Sequence, residues 1–269
     1  MKRYLVKKIN KFLLKLGFIL IRKKEESKVK SEFNLHKIMS YALLEKKTDK
    51  LATFSKSQYG QDWFAEALIG QKIAEGFFVE FGAINGIQNS NSYYFEKVLK
   101  WNGIVAEPAK KWHKELYQNR NCIIEKRCIY NSSGKMLEFI ETGKWPGGNT
   151  LSFHKDDDGT KRKISDSYLV ETILLNDMLE FHGAPKYIDF ISIDTEGSEF
   201  EILDNFDFDK TKFGLILVEH NHIDSKKSSI RSLLEKNGYK HLNMSEEISK
   251  VDDWFASIEL YKRYKKIFL

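Results

Sequence analysis

Cysteine is scarce in this chain, since its 269 residues include only Cys122 and Cys128. Two cysteines cannot build a disulfide framework, and they do not suggest a structural zinc site. Long apolar runs are scarce as well: the longest lysine-free run in the N-terminal region, Leu16 to Ile21, is far shorter than the roughly 20 residues that span a membrane. No small-residue cleavage site of the kind that ends a secretory signal follows it. These absences favour a reduced, cytoplasmic protein.

The chain contains enough apolar material for a large core. Hydrophobic residues make up 42% of the sequence and aromatic residues 13%, which argues against disorder. A chain of this length can fold as one large α/β domain. We expect that domain to span residues 55–269 and to follow a helical extension over residues 1–54.

The extension is strongly basic. Its first 30 residues contain eleven lysines and arginines against two glutamates, and they account for much of the net charge of +6. Apolar residues recur there at the spacing of a basic amphipathic helix: Leu5, Ile9, Phe12, Leu13, Leu16 and Leu20. Such a helix can pack on the domain or on a partner, or lie on an anionic inner membrane surface. Both alternatives stay open, as does a homo-oligomer, but nucleic acid binding is not expected because stacking aromatics are not interleaved with the basic residues.

The segment Phe77–Lys97, FFVEFGAINGIQNSNSYYFEK, is the most informative part of the sequence. It begins as a strand rich in aromatic and branched residues, which is typical of burial on both faces, and it continues into a helix. Gly82 and Gly86 allow a sharp turn between the two and let a ligand approach the main chain. The helix from about Ser90 then points its unpaired N–H groups at the same place.

A second apolar run, Gly103–Pro108 (GIVAEP), ends in Glu107, which is 21 residues after the second glycine of that turn. At roughly 20 residues, an acid on the second strand of a nucleotide-binding fold receives ribose hydroxyls. A dinucleotide fingerprint requires a glycine two residues after Gly82, but that residue is Ile84. Glu80, before the turn, suits a cation such as the ammonium and sulfonium of S-adenosylmethionine. The pattern favours S-adenosylmethionine and predicts these cofactor-binding residues: Glu80, Gly82, Gly86, Ser90, Asn91 and Glu107.

Two more apolar runs end in polar residues. Tyr187–Ser198 (YIDFISIDTEGS) ends in a cluster of acids, and Phe213–Glu219 (FGLILVE) is followed by His220, Asn221 and His222. Four predicted strands therefore finish in polar residues at one edge, where open α/β sheets bind their ligands.

Several segments, in order and at family-like spacing, resemble the FkbM family of S-adenosylmethionine-dependent methyltransferases: SQYGQD, FVEFGAINGIQNSNSYYFEK, IVAEP, LLNDMLEFHGAP, IDFISIDTEGSEFEIL and ILVEHN. The resemblance covers roughly residues 55–222. It implies a Rossmann-like class I methyltransferase fold with a mostly parallel seven-stranded sheet flanked by helices. It also implies O-methylation of a sugar or glycan precursor, with a sugar, nucleotide sugar or glycan as the acceptor. The chain departs from the family at Asn85, where the usual residue is aspartate.

The expected chemistry needs a group that removes the proton of the acceptor hydroxyl. His220 is the first candidate for this base because histidine titrates near neutral pH, and His222 is the second. Asp194 is a further catalytic candidate, since it could orient the acceptor. Asp194 and Glu196 could instead bind magnesium, manganese or iron together with Glu219 and His220, and the metal would acidify the hydroxyl. Purely structural roles at the strand ends remain the alternative for all of these residues.

The remaining segments carry weaker signals. Cys122–Tyr130 and Met136–Ile140 are predicted strands, and Ala256–Arg263 is predicted as a late strand. The irregular stretch Glu141–Ser167 is interpreted either as a solvated insertion or as a lid over the acceptor pocket, with Trp145 on a sugar ring.

Two rival functions fit the sequence less well. A nucleotide-sugar oxidoreductase would share the alternating fold, but it should show a tighter glycine fingerprint and a catalytic Tyr/Lys pair. A noncatalytic membrane-associated binding module would explain the basic extension but not the acids at the strand ends.

Overall fold

The computed structural model describes residues 54–70, 72, 74–143, 148–157, 159, 161–221, 223–243 and 251–268. Residues 1–53 of the basic extension, Trp145 and His222 lie outside these ranges, so the expectations about them stay predictions. Within the described ranges, no helix is long and apolar enough to cross a membrane.

A central sheet contains seven strands: β1 (Phe77–Phe81), β2 (Asn102–Ala106), β3 (Ile123–Glu125), β8 (Tyr187–Ile193), β9 (Lys212–Glu219), β10 (Lys240–His241) and β11 (Asp252–Ala256). Their order across the sheet is β3–β2–β1–β8–β9–β11–β10. Neighbouring strands from β3 to β9 are parallel, and β11 runs antiparallel to both β9 and β10. The predicted mostly parallel, Rossmann-like sheet is confirmed.

A second, smaller sheet contains β4 (Cys128–Tyr130), β5 (Met136–Thr142), β6 (Thr150–Leu151) and β7 (Ile164–Leu174), in the order β4–β7–β5–β6. The expectation of an irregular stretch over Glu141–Ser167 was therefore wrong for part of that stretch. Thr150 pairs with Ile140, and Ser167 pairs with the same residue from the other side. Pairing across β5 and burial of Leu151 beside Phe139 order these residues, although their own sequence lacks a strand period.

Helices cover both faces of the central sheet: α1 (Gln61–Ile69), α2 (Tyr93–Lys97), α3 (His113–Asn119), α4 (Leu175–Phe181), α5 (Glu199–Asp204), α6 (Asp224–Lys236) and α7 (Ile258–Phe268). One buried cluster contains Phe64 of α1 and Tyr264 of α7. The other contains Met178 of α4, Ile202 of α5 and Leu234 of α6. Because both faces are covered, the central strands are apolar along almost their whole length.

Two expectations about strands were wrong. The residues after Ala256 form helix α7, and the late strand precedes it as β11. Helical spacing brings Leu260, Tyr261 and Tyr264 of α7 against the core. The apolar residues of this segment therefore repeat about every 3.6 residues, as in a helix, rather than every two, as in a strand. Cys122–Tyr130 is not one strand either, because β3 and β4 belong to different sheets.

Candidate active site

The carboxyl ends of β1, β2 and β8 meet at one edge of the central sheet and line a cleft. Gly82 and Ile84 follow β1, Glu107 follows β2, and Asp194 follows β8. These strands are parallel neighbours, so their ends lie side by side. The cleft, which we call the donor cleft, has an empty volume of about 550 Å³ including its open mouth.

The second sheet forms the opposite wall of the donor cleft. Its contribution is mainly apolar and comes from β4, β5 and β6: Cys128, Ile129, Phe139 and Leu151. Asn149 also lines the cleft, and its Oδ1 accepts hydrogen bonds from the Thr142 N–H and from Lys111 Nζ, each at 2.9 Å. Sequence reasoning missed this wall, because no local pattern shows that the second sheet folds over the strand ends.

The glycine turn has the geometry that its sequence predicts. Gly82 has φ +72°, and a Cβ there would lie 2.3 Å from the backbone oxygen of Asp194. Gly86 has φ +82°, and a Cβ there would lie 2.6 Å from the Arg120 side chain. Ile84 also has a positive φ of 49°, which costs a branched residue about 1–2 kcal/mol. Its N–H donates to Glu107 Oε2 at 2.7 Å, and this hydrogen bond stabilises the turn.

Glu107 lies buried at the floor of the cleft. Its Oε2 accepts the Ile84 N–H, and its Oε1 accepts the Ala109 N–H at 2.9 Å. A carboxylate has about four acceptor sites, so two of them remain for ribose hydroxyls. Burial raises the pKa of Glu107 to about 7, while the two backbone hydrogen bonds act in the opposite direction. Together with the glycine turn and the apolar wall, this carboxylate fits the nucleoside half of S-adenosylmethionine.

We expect Glu107→Gln to weaken the binding of S-adenosylhomocysteine by about 10- to 100-fold, the value of one hydrogen bond to a charged group. In the unmodified protein the affinity should also rise from about pH 6 to about pH 8, because the ionised carboxylate is the stronger acceptor. Conversely, the contribution of Glu107 to stability without ligand should fall as the pH rises from its ordinary pKa of 4.5 to about 7 and stay level above that, since its folded-state pKa is raised. Calorimetric titration at both pH values measures the affinity.

Glu180→Gln, at an exposed position of α4, is the matched control. If Glu107→Gln and the control bind S-adenosylhomocysteine equally well, Glu107 does not contact the ribose.

Glu80 lies within β1 and is engaged by protein donors. Its Oε2 accepts hydrogen bonds from the hydroxyls of Ser90 at 2.8 Å and Ser92 at 2.6 Å. Its Oε1 accepts the Asn91 N–H at 2.5 Å, and Arg120 Nη1 lies 3.4 Å from Oε2. The geometry therefore gives Glu80 the task of holding the segment that follows the glycine turn. Direct contact of Glu80, Ser90 or Asn91 with a cofactor stays a prediction.

Three carboxylates converge where β8 and β9 end. Oxygens of Asp194, Glu196 and Glu219 lie within 4.8 Å of one another. Burial raises the pKa of Asp194 well above its ordinary value, and the charge of Glu196 acts in the same direction. Burial and the charge of Asp194 likewise raise the pKa of Glu219. The spacing would suit a divalent cation, and the metal-binding role of Asp194 and Glu219 stays a prediction.

His220 is not a member of this group of three carboxylates, and its role as a metal ligand stays a prediction. Glu219 is the last residue of β9, and His220 turns toward Asp253, with 3.8 Å between Nε2 and Oδ1. Glu196, which the sequence also suggested as a ligand, is the third member of the group. His220 is buried and does not line the donor cleft, and its role as a base stays a prediction.

A buried acid that sequence reasoning missed orders the loop after β8. Glu199 Oε1 accepts the N–H groups of Thr195 at 2.9 Å and Gly197 at 3.1 Å. Its Oε2 accepts from Lys226 Nζ at 2.8 Å. The Ser198 hydroxyl donates to Thr195 Oγ1 at 2.9 Å. The sequence did carry a signal for this role: Glu199 is an acid in the first turn of a helix, where a negative charge complements the unpaired N–H groups.

Comparison with solved structures gives several similar methyltransferases at low identity. The methyltransferase FkbM from Methylobacillus flagellatus KT is 13% identical with a TM-score of 0.49, and the match covers 84% of this chain and 54% of that one. The precorrin-6y C5,15-methyltransferase from Geobacter metallireducens GS-15 is 12% identical with a TM-score of 0.38, over 67% of this chain and 72% of that one. An SAH-bound methyltransferase from Podospora anserina is 12% identical with a TM-score of 0.37, and the match covers 90% of this chain and 99% of that one. This chain spans about half the length of the M. flagellatus protein.

Comparison with curated proteins gives no match to this sequence. The family described as the methyltransferase FkbM domain matches residues 80–241, a range that contains the glycine turn, Glu107 and the acidic group. That range is more than half of the 269 residues and includes most of the central sheet. The chain therefore belongs to the FkbM family of S-adenosylmethionine-dependent methyltransferases and has the class I methyltransferase fold that its sequence predicts.

Proposed function

We propose that this protein transfers a methyl group from S-adenosylmethionine to a hydroxyl group of a carbohydrate. The observation that carries this proposal is the position of Asp194, which lines the donor cleft and also belongs to the acidic group with Glu196 and Glu219. A hydroxyl that approaches the donor from the side of β9 therefore meets carboxylate oxygens. Carboxylates both accept hydrogen bonds from hydroxyl groups and remove their protons.

When bound, S-adenosylmethionine supplies a methyl group attached to a positively charged sulfur. The chain must place the acceptor oxygen in line with that methyl and sulfur, and it must remove the hydroxyl proton. In this proposal Asp194 accepts the proton while the oxygen bonds to the methyl carbon. The carbon–sulfur bond breaks, and its electron pair stays on sulfur. Burial among other acids makes Asp194 a stronger base than an exposed aspartate, because it raises the pKa.

The acidic group also supports a second version of the same reaction, in which a divalent cation acidifies the hydroxyl. Asp194, Glu196 and Glu219 supply only oxygen ligands, a set that suits magnesium or manganese better than a softer metal. Glu196 also pairs with Arg162 at 2.9 Å, which neutralises part of the negative charge without a metal. Activity with and without a chelator separates the two versions.

The test is transfer of a radiolabelled methyl group to a panel of acceptors. The panel contains methyl glycosides and trisaccharides of common hexoses and amino sugars, the corresponding nucleotide sugars, simple phenols and a mixed protein fraction. We expect a carbohydrate to be labelled and the label to resist mild base, as an ether does. Labelling confined to phenol or protein would contradict the carbohydrate proposal. Stabilisation by NAD rather than by S-adenosylhomocysteine in a thermal shift experiment would instead favour an oxidoreductase.

A further inference from the structure

A second cavity lies across the loop that follows β8. Glu196 and Ser198 line the donor cleft, whereas Gly197 between them lines this second cavity. The second cavity has an empty volume of about 680 Å³, including the part open to solvent. One loop thus contributes residues to the walls of both spaces.

Two charged side chains of the second cavity are held in place by buried partners. Asp157 is fixed by His154, whose Nδ1 lies 2.5 Å from Asp157 Oδ2 and whose own side chain is 9% exposed. Lys226 is fixed by Glu199, which is fully buried. Because Glu199 also binds Thr195 and Gly197, the same carboxylate positions the cavity and the loop. The polar groups of the cavity are therefore preorganised.

The charges that line the cavity indicate the chemistry of its ligand. Asp157 and Glu201 contribute two carboxylates, while the charge of Lys226 is offset by Glu199. Phe200 adds an aromatic ring and Ser225 a hydroxyl. Carboxylates and hydroxyls can bind the hydroxyl groups of a sugar, and a ring can pack on its C–H face. The excess of negative charge would repel a phosphate.

We propose that the second cavity binds a sugar residue of the acceptor adjacent to the one that is methylated, and that this residue is uncharged or carries an amino group. The proposal rests on the proposed carbohydrate methyl transfer and adds a subsite and a selectivity to it. It predicts that a trisaccharide is a better acceptor than the nucleotide sugar that carries the same terminal sugar residue.

The test compares Asp157→Asn and Glu201→Gln with the unmodified full-length protein. The acceptor is the trisaccharide that gives the highest rate in the panel above, and the second substrate is the nucleotide sugar of its terminal residue. Each variant should raise KM for the trisaccharide about tenfold, the loss expected for one hydrogen bond to a charged group. Binding of S-adenosylhomocysteine, measured by calorimetry, should not change, because neither residue lines the donor cleft. Glu235→Gln, at an exposed position of α6, is the matched control and should leave KM unchanged.

The outcomes separate this inference from the proposed function. If carbohydrate is methylated but both variants keep the KM of the unmodified protein, the subsite is wrong and the function stands. The proposed selectivity would be overturned if the nucleotide sugar were the better acceptor and if the loss of either carboxylate improved it further as a substrate. If no carbohydrate is methylated while S-adenosylhomocysteine still binds, both proposals fall.

Discussion

Replacing Asp194 by asparagine should lower kcat by about 10²- to 10⁴-fold, the contribution typical of a positioned general base. The loss should appear in kcat because the substitution keeps the size of the side chain and removes only its capacity to take a proton. The Kd for S-adenosylhomocysteine should change little, since Glu107 and the glycine turn hold the nucleoside half. Initial rates at saturating substrate and calorimetric titration measure the two quantities.

The same substitution should not destabilise the fold. Asp194 is half-buried, and Glu196, Asp252 and Glu199 nearby all disfavour its ionisation. A carboxyl with a raised folded-state pKa loses stability as the pH rises through that pKa, whereas asparagine does not ionise. The melting temperature of Asp194→Asn should therefore equal or exceed that of the unmodified protein, with the largest gain at high pH.

The control is Asp204→Asn, which changes an exposed aspartate at the end of α5. Both variants should be assayed with and without a chelator. Unchanged turnover of Asp194→Asn under both conditions would contradict the catalytic role and the metal role together. Loss of activity in the unmodified protein on chelation, restored by magnesium or manganese, would support the version in which a cation acidifies the hydroxyl.

Replacing Arg120 by methionine should lower the free energy of unfolding by about 3–5 kcal/mol, the cost of leaving a buried charge without its partner. The Arg120 side chain is fully buried and lies between Glu80 and Glu96, with 2.5 Å from Nε to Glu96 Oε2. Burial opposes ionisation of Glu96, but the charge of Arg120 and the hydrogen bonds that the carboxylate accepts together outweigh it and lower the pKa of Glu96 to about 2. Arg120 also donates to the backbone oxygen of Gly86 at 3.2 Å, so its loss should loosen the glycine turn.

Urea unfolding near neutral pH measures this change, and Arg231→Met provides the control. Arg231 pairs with Glu235 on the surface of α6, where such a pair contributes about 1 kcal/mol at most. In the unmodified protein the stability from Glu96 should be present above the usual pKa of 4.5 and be lost as the pH falls toward about 2. A cost below about 1 kcal/mol for Arg120→Met would mean that Glu80 and Glu96 find other partners or become protonated without penalty.

Sequence reasoning located the edge of the sheet at which the site lies. Apolar runs with acids at their ends predicted the strands that supply Gly82, Glu107 and Asp194, and the structure brings these residues to one cleft. The prediction worked because buried parallel strands need continuous apolar sequence, and their polar residues can follow only where the strands end. It worked less well for α7, where a short apolar pattern fits either a strand or a helix.

The sequence by itself determined the fold class, the family, the glycine turn and the acid opposite it, because each depends on residues that are close in the chain. Only the tertiary structure decided which polar side chains meet. In the folded protein His220 lies near Asp253, and Glu196 lies beside Glu219. Glu80 binds serine hydroxyls and lies near Arg120, and the second sheet forms one wall of the cleft. The physical reason is that the direction of a side chain at a strand end, and the partner of a buried charge, are set by elements far away in sequence.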